Sequence, residues 1–219
     1  YNSLMGIFTL RNLVLLFMIL LFVRYYNAKQ ELVMPSLELP SSTKILAFGD
    51  SLTQGYGVLP QESYPATLAS LLHVSVINEG ISGEFSNEGL ARLPQLLSKH
   101  TPDILILCHG ANDILRRKDL EQTKKNIEKM VELAYEKGIY VVLVGVPMYE
   151  ILTFETVPFY YEIAKKKGLV LEDKALEKIL NSEKLKSDSV HPNAQGYALM
   201  AKNIAFLLEK HYIPSSKPF

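Results

Sequence analysis

The chain contains one cysteine, Cys108, among its 219 residues. A single cysteine excludes an internal disulfide and any zinc cluster built from cysteines, and it leaves the redox compartment undecided. The chain also lacks an excess of either charge, with 23 basic and 23 acidic residues. Proteins that bind nucleic acid use positive charge to neutralise phosphates, so nucleic-acid binding is not expected. The sequence shows no internal repeat and no low-complexity segment.

One long apolar run is present, at residues 13–23 between Arg11 and Arg24. It has no polar face, which favours contact with lipid over burial in a globular core. Its length suits the core of a signal peptide, but Tyr26-Asn27-Ala28 is a poor cleavage site and favours an uncleaved anchor. Residues 1–26 are therefore interpreted as a hydrophobic helix that is either a membrane anchor or a signal segment. Both interpretations predict export: an inner-membrane-anchored protein facing the periplasm, or a periplasmic or secreted protein after cleavage.

The rest of the chain reads as one domain with a linker before it. Residues 27–43 are polar and contain Pro35 and Pro40, as expected of a linker. The globular domain is predicted to span residues 44–213, followed by a short tail at 214–219. A domain of that size buries a sizeable core without metals or disulfides.

Short apolar runs and helical patterns alternate along this domain. The runs are predicted to be strands because they are apolar throughout, as strands covered on both faces are. The helical patterns carry apolar residues at core spacing, and Pro94 inside the second predicts a kink or a fresh helix start. This alternation predicts an α/β fold with a parallel sheet between helices. The predicted strands are 45–48, 74–77, 104–108 and 140–146, and the predicted helices are 64–72, 87–99, 119–137 and 194–208.

The residues suited to chemistry follow the predicted strands. Gly49-Asp50-Ser51-Leu52 comes directly after the first strand, Gly83 after the second and Asn112 after the third. His191 lies in the loop that leads to the last helix. In a parallel sheet the carboxyl ends of the strands share one edge, where ligands bind. We therefore expect these four segments to meet at a single site.

A serine, a histidine and an aspartate in these segments suit nucleophilic catalysis. A serine hydroxyl reacts once a neighbouring base takes its proton, and histidine does so near neutral pH. Ser51 is assigned as the nucleophile, His191 as the base and Asp188 as the carboxylate that orients the imidazole. By themselves, Asp188 and Ser189 would read as cap residues of a helix that starts near Pro192.

Attack on an acyl carbon creates an oxyanion, which requires donors positioned in advance. The candidate donors are the Ser51 N–H, the Gly83 N–H and the side-chain amide of Asn112. Glycine permits a close backbone approach or a positive φ, although Gly83 and Asn112 would also serve as ordinary turn residues.

Four motifs together carry a resemblance to a known family: Gly49-Asp50-Ser51-Leu52, Gly83, Gly110-Ala111-Asn112-Asp113 and Asp188-Ser189-Val190-His191-Pro192. In order and spacing they resemble the four blocks of the SGNH (GDSL) hydrolase family. The likeness covers residues 44–211, and residues 78–94 are similar to the bacterial subgroup of thioesterase I, lysophospholipase L1 and arylesterase. Members of that subgroup are commonly soluble periplasmic or secreted proteins, from which a membrane anchor would depart.

The resemblance implies a three-layer αβα sandwich with a parallel, flavodoxin-like sheet. It implies Ser51 as nucleophile, His191 as base and Asp188 as its partner, with Gly83 and Asn112 in the oxyanion hole. It implies no metal and no organic cofactor.

Further residues are candidates for contact with substrate. Asp50 stands beside the nucleophile. Residues 147–154 are unusually apolar for a loop after a strand, so Met148, Tyr149 and Ile151 are predicted to line a groove for an acyl chain. The alternative is that this segment packs against residues 159–160.

Two other features have less specific interpretations. Cys108 and His109 are neighbours on a strand and point to opposite faces, so they do not form a reactive pair, and Cys108 is predicted to be a core residue. His109 either lines the pocket or has no role in it. Arg116 and Arg117 either attract an anionic part of a substrate or belong to a solvated loop.

The sequence thus predicts a monomeric serine esterase for a small-molecule acyl ester, thioester or lysophospholipid, with the membrane as a further partner through the N-terminal segment. A carbohydrate O-acetylesterase of the same fold and a non-catalytic, membrane-anchored binding protein are the alternatives.

Overall fold

In a computed structural model of the chain, residues 17–19 and 39–212 are described. The chain divides into two units, Tyr1–Ser36 and Leu37–Phe219. Only residues 17–19 of the first unit are described, and they are helical. Among the described residues, none of the helices has the length and apolar character required to cross a bilayer. The rest of the predicted anchor or signal segment, residues 27–38 of the linker and the tail lie outside the described residues, and their assignments stay predictions.

The second unit alternates strands and helices along the chain, as the sequence predicts. Its elements are β1 (Lys44–Gly49), α1 (Ser51–Gln54), α2 (Tyr64–Leu72), β2 (Ser75–Gly80), α3 (Ser86–His100), β3 (Ile104–Cys108), α4 (Ala111–Leu115), α5 (Leu120–Tyr135), β4 (Tyr140–Val144), β5 (Pro147–Glu150), β6 (Thr153–Thr156), α6 (Pro158–Lys167), β7 (Val170–Glu172), α7 (Ala175–Leu180) and α8 (Ala194–His211).

Five of these strands form a parallel sheet in the order β2-β1-β3-β4-β7. This is the flavodoxin-like order, so the predicted sheet is confirmed. The chain winds outward from β1 in both directions, which brings the carboxyl ends of β1, β2 and β3 side by side. β7 was not among the predicted strands and has only three residues.

Helices cover both faces of the sheet and complete the three-layer αβα sandwich. α2 packs against α8 in one layer, whereas α3, α5 and α6 pack together in the other. α5 shows why such helices form: its buried residues recur at helical spacing, and the Asp119 side chain accepts hydrogen bonds from the Glu121 and Gln122 amides at its start. The predicted helix at 119–137 is therefore confirmed to within two residues.

α3 runs through Pro94, so of the two predicted outcomes, a kink or a fresh helix start, the fresh start does not occur. Leu93 and Leu97 are buried there, and their packing outweighs the cost of about 3 kcal/mol of an interior proline. The folded domain also includes residues 39–43, which were assigned to the linker. Leu39 is buried against the core, and the Thr43 N–H donates to the Pro40 carbonyl to close a turn (2.8 Å).

The apolar segment after β4 forms a hairpin rather than a loop. β5 and β6 pair antiparallel, and Tyr149 stands opposite Phe154 with ring centroids 5.2 Å apart. Ile151, at the turn, is 88% exposed. Cross-strand aromatic pairs stabilise hairpins, which explains why so apolar a segment lies near the surface.

Candidate active site

Ser51 lies where β1 gives way to α1. Gly49 ends the strand, and a Cβ at this position would overlap the carbonyl oxygen of Cys108 on β3, so only glycine fits. Asp50 caps α1, because its side chain accepts a hydrogen bond from the Leu52 N–H (3.1 Å). Ser51 is then the first helical residue, and its N–H has no acceptor within the helix. The serine is thus held rigidly at the carboxyl edge of the sheet.

The side chain of Asp50, which was predicted to contact substrate, is completely buried. Its two carboxylate oxygens accept hydrogen bonds from the backbone N–H groups of Leu52 (3.1 Å) and Ala111 (3.2 Å). Burial raises the pKa of the Asp50 carboxyl, and nearby His109 and these N–H donors offset that effect only in part. Asp50 instead ties the turn that carries Ser51 to the start of α4.

Ser51, His191 and Asp188 form a continuous hydrogen-bonded row. His191 Nδ1 lies 2.8 Å from Asp188 Oδ2, and His191 Nε2 lies 3.0 Å from Ser51 Oγ. A carboxylate only accepts, so Nδ1 carries the proton and donates it to Asp188. Nε2 is then free to accept from the Ser51 hydroxyl. The structure thus brings together the three residues that the sequence analysis assigned to the triad.

The loop that carries Asp188 and His191 is closed on itself. Lys186 and Pro192 form an antiparallel bridge, and the Ser187 N–H donates to the His191 carbonyl (2.9 Å). Asp188 Oδ1 accepts from the Val190 N–H (2.9 Å) and the His191 N–H (2.8 Å). Such internal bonds hold the carboxylate and the imidazole in one fixed relation.

Asp188 is not the cap of the last helix. α8 begins at Ala194, and its cap is Asn193, whose side chain accepts from the Gly196 N–H (3.1 Å). Burial raises the pKa of the Asp188 carboxyl, but hydrogen bonds from the Val190 N–H and from the ring and N–H of His191 outweigh that effect and lower it overall. Asp188 is therefore ionised throughout the neutral range.

Tyr56 packs against the imidazole of His191, a contact that was not predicted from the sequence. The ring centroids of Tyr56 and His191 lie 4.5 Å apart. The backbone under this tyrosine is held by Tyr197, whose hydroxyl donates to the Tyr56 carbonyl (3.1 Å). No local pattern in the sequence connects Tyr56 with a histidine so far along the chain.

Gly83 occupies the turn that follows β2. Its φ is +82°, and the Glu84 N–H donates to the Ile81 carbonyl (3.2 Å) to close the turn. A Cβ on Gly83 would meet no atom within 4 Å. The conformation therefore requires glycine because of φ, and the open space beside it leaves room for a ligand.

Asn112 lies in the first turn of α4, next to the turn of Gly83. Its Nδ2 donates to the carbonyl oxygen of Glu84 (3.0 Å), which leaves the second N–H of the amide for another acceptor. The following residue, Asp113, is buried and accepts from the Ser86 N–H (2.8 Å) and hydroxyl (2.7 Å). These bonds join the loops after β2 and β3, so Gly83 and Asn112 are held in one polar network.

The residues predicted to line an acyl groove separate into two places. Tyr149 lines a cavity of about 450 Å³ together with Phe154, Lys186, Asp188 and Ser189. Met148 and Ile151 instead line a different cavity, of about 380 Å³. Successive residues of a strand face opposite ways, so Met148 and Tyr149 cannot serve the same pocket. Met148 and Ile151 thus line a cavity other than the one beside Asp188.

Cys108 and His109 lie inside the domain. Cys108 is a core residue, as predicted, and burial raises the pKa of its thiol well above the usual range. His109 is fully buried and does not line a pocket, because its Nε2 lies 3.0 Å from a carboxylate oxygen of Glu84. Arg116 and Arg117 are exposed after α4.

Comparison with known proteins shows similarity over most of the described domain. The chain is 33% identical over 184 residues to an arylesterase of Vibrio mimicus, which covers 78% of this chain and 90% of the relative. It is 28% identical over 185 residues to thioesterase 1/protease 1/lysophospholipase L1 of Escherichia coli (strain K12). This match covers 81% of this chain and 89% of the relative. The crystal structure of TesA matches with a TM-score of 0.68 at 26% identity, over 77% of this chain and 99% of TesA.

The assignment of the chain to a family rests on a match to more than half of its residues. The model of the GDSL-like lipase/acylhydrolase family matches residues 47–199, which include the turn after β1 and the loop before α8. The sheet order, the position of Ser51 and the named relatives agree with this match. The chain therefore belongs to the GDSL-like lipase/acylhydrolase family and is a serine hydrolase that acts on ester bonds.

Proposed function

We propose that the protein hydrolyses single-chain acyl esters or thioesters through an acyl-Ser51 intermediate. The observation that carries this proposal is the row Ser51–His191–Asp188, with its two bonds of 3.0 Å and 2.8 Å. Both distances lie in the range for direct proton transfer and hydrogen bonding.

In the acylation step, Ser51 Oγ attacks the acyl carbon while its proton moves to His191 Nε2. Asp188 accepts from Nδ1 throughout and stabilises the imidazolium that forms. The proton on Nε2 then passes to the leaving oxygen or sulfur as its bond to the acyl carbon breaks. In deacylation, water attacks the same carbon, gives its proton to His191 and releases the acid when Ser51 recovers the proton.

Three donors are available for the oxyanion of each tetrahedral intermediate. The Ser51 N–H, the Gly83 N–H and the free N–H of Asn112 come from the ends of β1, β2 and β3, which are neighbours in the sheet. Donors fixed before the reaction stabilise the developing charge without reorganising during the step. This function is assigned to them by the chemistry of attack on a carbonyl.

The cavity beside Asp188 supports a single acyl chain as part of the substrate. Its volume, about 450 Å³, lies in the range of pockets for small organic ligands. The Tyr149–Phe154 pair supplies an aromatic wall, while the ion pair of Lys186 with Glu183 (2.7 Å) supplies a charged one. An amphiphile with one chain, such as a lysophospholipid, combines these two characters.

An acyl-chain-length series tests this substrate class. We expect kcat/KM for octanoyl esters to exceed that for acetyl esters, and Tyr149→Ala to lower the octanoyl-to-acetyl ratio about five-fold to ten-fold. Loss of an aromatic contact of about 1 kcal/mol accounts for a change of that size. The measurement is steady-state hydrolysis of p-nitrophenyl esters from two to twelve carbons.

Ile151→Ala is the matched control, because Ile151 is on the same hairpin but lines the other cavity. Its octanoyl-to-acetyl ratio should stay within about two-fold of that of the unmodified protein. A preference for acetyl esters that Tyr149→Ala leaves unchanged would reject the chain-binding cavity and favour the carbohydrate O-acetylesterase alternative.

The pH dependence of hydrolysis tests His191 as the base. Only a neutral imidazole accepts the serine proton, so kcat/KM should be lower in weakly acidic than in neutral solution. Asp188 does not cause this loss, because its lowered pKa keeps it ionised in weakly acidic solution. Circular dichroism at each pH separates protonation from unfolding. A flat profile in a folded protein would show that another group is the base.

A further inference from the structure

Glu84 belongs to a buried cluster of charged side chains that takes no part in the proposed bond-making steps. Glu84 is 6% exposed, and His109 has no exposed surface. The Arg92 guanidinium contacts both carboxylate oxygens of Glu84, with Nε at 2.5 Å from Oε1 and Nη2 at 2.7 Å from Oε2. His109 Nε2 lies 3.0 Å from Oε2. Glu84 thus has three charged or polar contacts at hydrogen-bond distance.

The proton positions in this cluster follow from its geometry. His109 Nδ1 accepts from the Gly110 N–H (3.0 Å), so Nε2 carries the proton and donates it to Glu84. Burial raises the pKa of the Glu84 carboxyl, but the hydrogen bonds from His109 and Arg92 and the charge of Arg92 outweigh that effect and lower it overall. Glu84 is therefore an ionised carboxylate held by a bidentate arginine.

Arg92 is itself fixed to the ends of two strands. Its Nη2 also lies 2.8 Å from the Glu79 carbonyl of β2 and 3.3 Å from the Gly49 carbonyl at the end of β1. Its guanidinium lies 4.2 Å from the centroid of the Phe48 ring. Arg92 therefore fixes the position of the Glu84 side chain relative to the carboxyl edge of the sheet.

The backbone of Glu84 is connected to the two candidate oxyanion donors that lie outside the turn of Ser51, which are the Gly83 N–H and the Asn112 amide. Glu84 directly follows Gly83, and its N–H closes the turn in which Gly83 has a positive φ. Its carbonyl oxygen accepts from Asn112 Nδ2 at 3.0 Å. Glu84 thus connects the loop that carries the Gly83 N–H with the loop that carries the Asn112 amide.

We propose that Glu84 is a positioning residue for the oxyanion hole, acting through Gly83 and Asn112. This inference rests on the proposed function of those two donors. Glu84 touches no reacting atom. Its anchored side chain fixes the carbonyl that orients the Asn112 amide, so the donors stand at the correct distance before substrate binds.

The test is a double-mutant cycle between Glu84→Gln and Asn112→Ala. Glutamine keeps the length of the side chain but presents an NH2 group to donors of Arg92 or His109, which breaks the anchor. We expect Glu84→Gln alone to lower kcat about ten-fold to a hundred-fold with KM within about three-fold, since small misplacements of this kind have such effects. In the Asn112→Ala background, the fold loss of kcat caused by Glu84→Gln should be at least about three-fold smaller, because the amide that Glu84 positions is absent.

Rates are expressed per active site titrated with a fluorophosphonate, so that partly unfolded protein does not enter the comparison. Glu172→Gln is the matched control: Glu172 is also buried, accepts two backbone N–H groups after β7 and bonds to Asn203, far along the sheet from β2. Its kcat should stay within about two-fold. If Glu84→Gln does not fold, Glu84→Asp, which keeps the charge but is one methylene shorter, replaces it in the same cycle.

Equal losses from the Glu84 substitution in both backgrounds would overturn the proposal, as would an effect confined to KM or to the titrated fraction. Ser51→Ala separates this failure from that of the proposed function. An inactive Ser51→Ala together with an additive cycle rejects only the positioning role, whereas an active Ser51→Ala rejects the function on which it rests.

Discussion

Ser51→Ala is expected to lower kcat for ester hydrolysis by on the order of 10,000-fold or more, which is the usual result when a triad nucleophile is removed. Without the hydroxyl, no acyl-enzyme forms, and only binding and the oxyanion donors remain. The side chain of Ser51 contributes a single bond, to His191 Nε2. The melting temperature should therefore change by no more than about 3 °C.

The measurement combines hydrolysis of a chromogenic ester with covalent labelling by a fluorophosphonate. Ser70→Ala, on the exposed side of α2, controls for the substitution itself and should retain full activity and labelling. Hydrolysis by a folded Ser51→Ala protein at more than about 1% of the original rate would show that another nucleophile acts.

Asn112→Ala is expected to lower kcat on the order of 100-fold to 1,000-fold, the range found when one oxyanion donor is removed. KM should change little, because the bond to the oxyanion forms only in the transition state. Asn112→Asp tests whether the loss of the hydrogen-bond donor causes this decrease in kcat. It keeps the shape of the side chain but replaces the donor by a carboxylate, so its loss should equal or exceed that of alanine.

Asn203→Ala is the control for the loss of an asparagine hydrogen bond elsewhere, since Asn203 donates to Glu172. It should alter stability without altering kcat. A loss of less than about three-fold for both Asn112 variants would remove this residue from the oxyanion hole.

The elements with strong local signals could be predicted from the sequence. The strands β1 and β3 are continuous apolar runs, and α5 combines an aspartate cap with apolar residues at helical spacing. The turn after β1 and the loop before α8 were recognisable because few other residue types can replace glycine, serine, aspartate and histidine in nucleophilic catalysis. Parallel strands then determine which segments meet, and this is why Ser51 and His191 were expected together.

Other features could not be predicted because their cause lies in distant residues. β7 has three residues and becomes a strand through pairing with β4. Asp50 looks like a neighbour of substrate in the sequence, yet Ala111, 61 residues further along the chain, draws its carboxylate inward. Met148 and Tyr149 look equivalent until the pairing of β5 with β6 directs them to different cavities.

The sequence by itself determined the chemical groups of this esterase, the strands that carry them and the edge at which they meet, because those depend on local periodicity and on residue type. Only the tertiary structure decided how the groups are supported. The contact of Glu84 with His109 spans 25 residues and that of Glu84 with Asn112 spans 28. Such contacts leave no periodic pattern in the chain, since each is created by the packing of β2, α3 and β3 around one buried carboxylate.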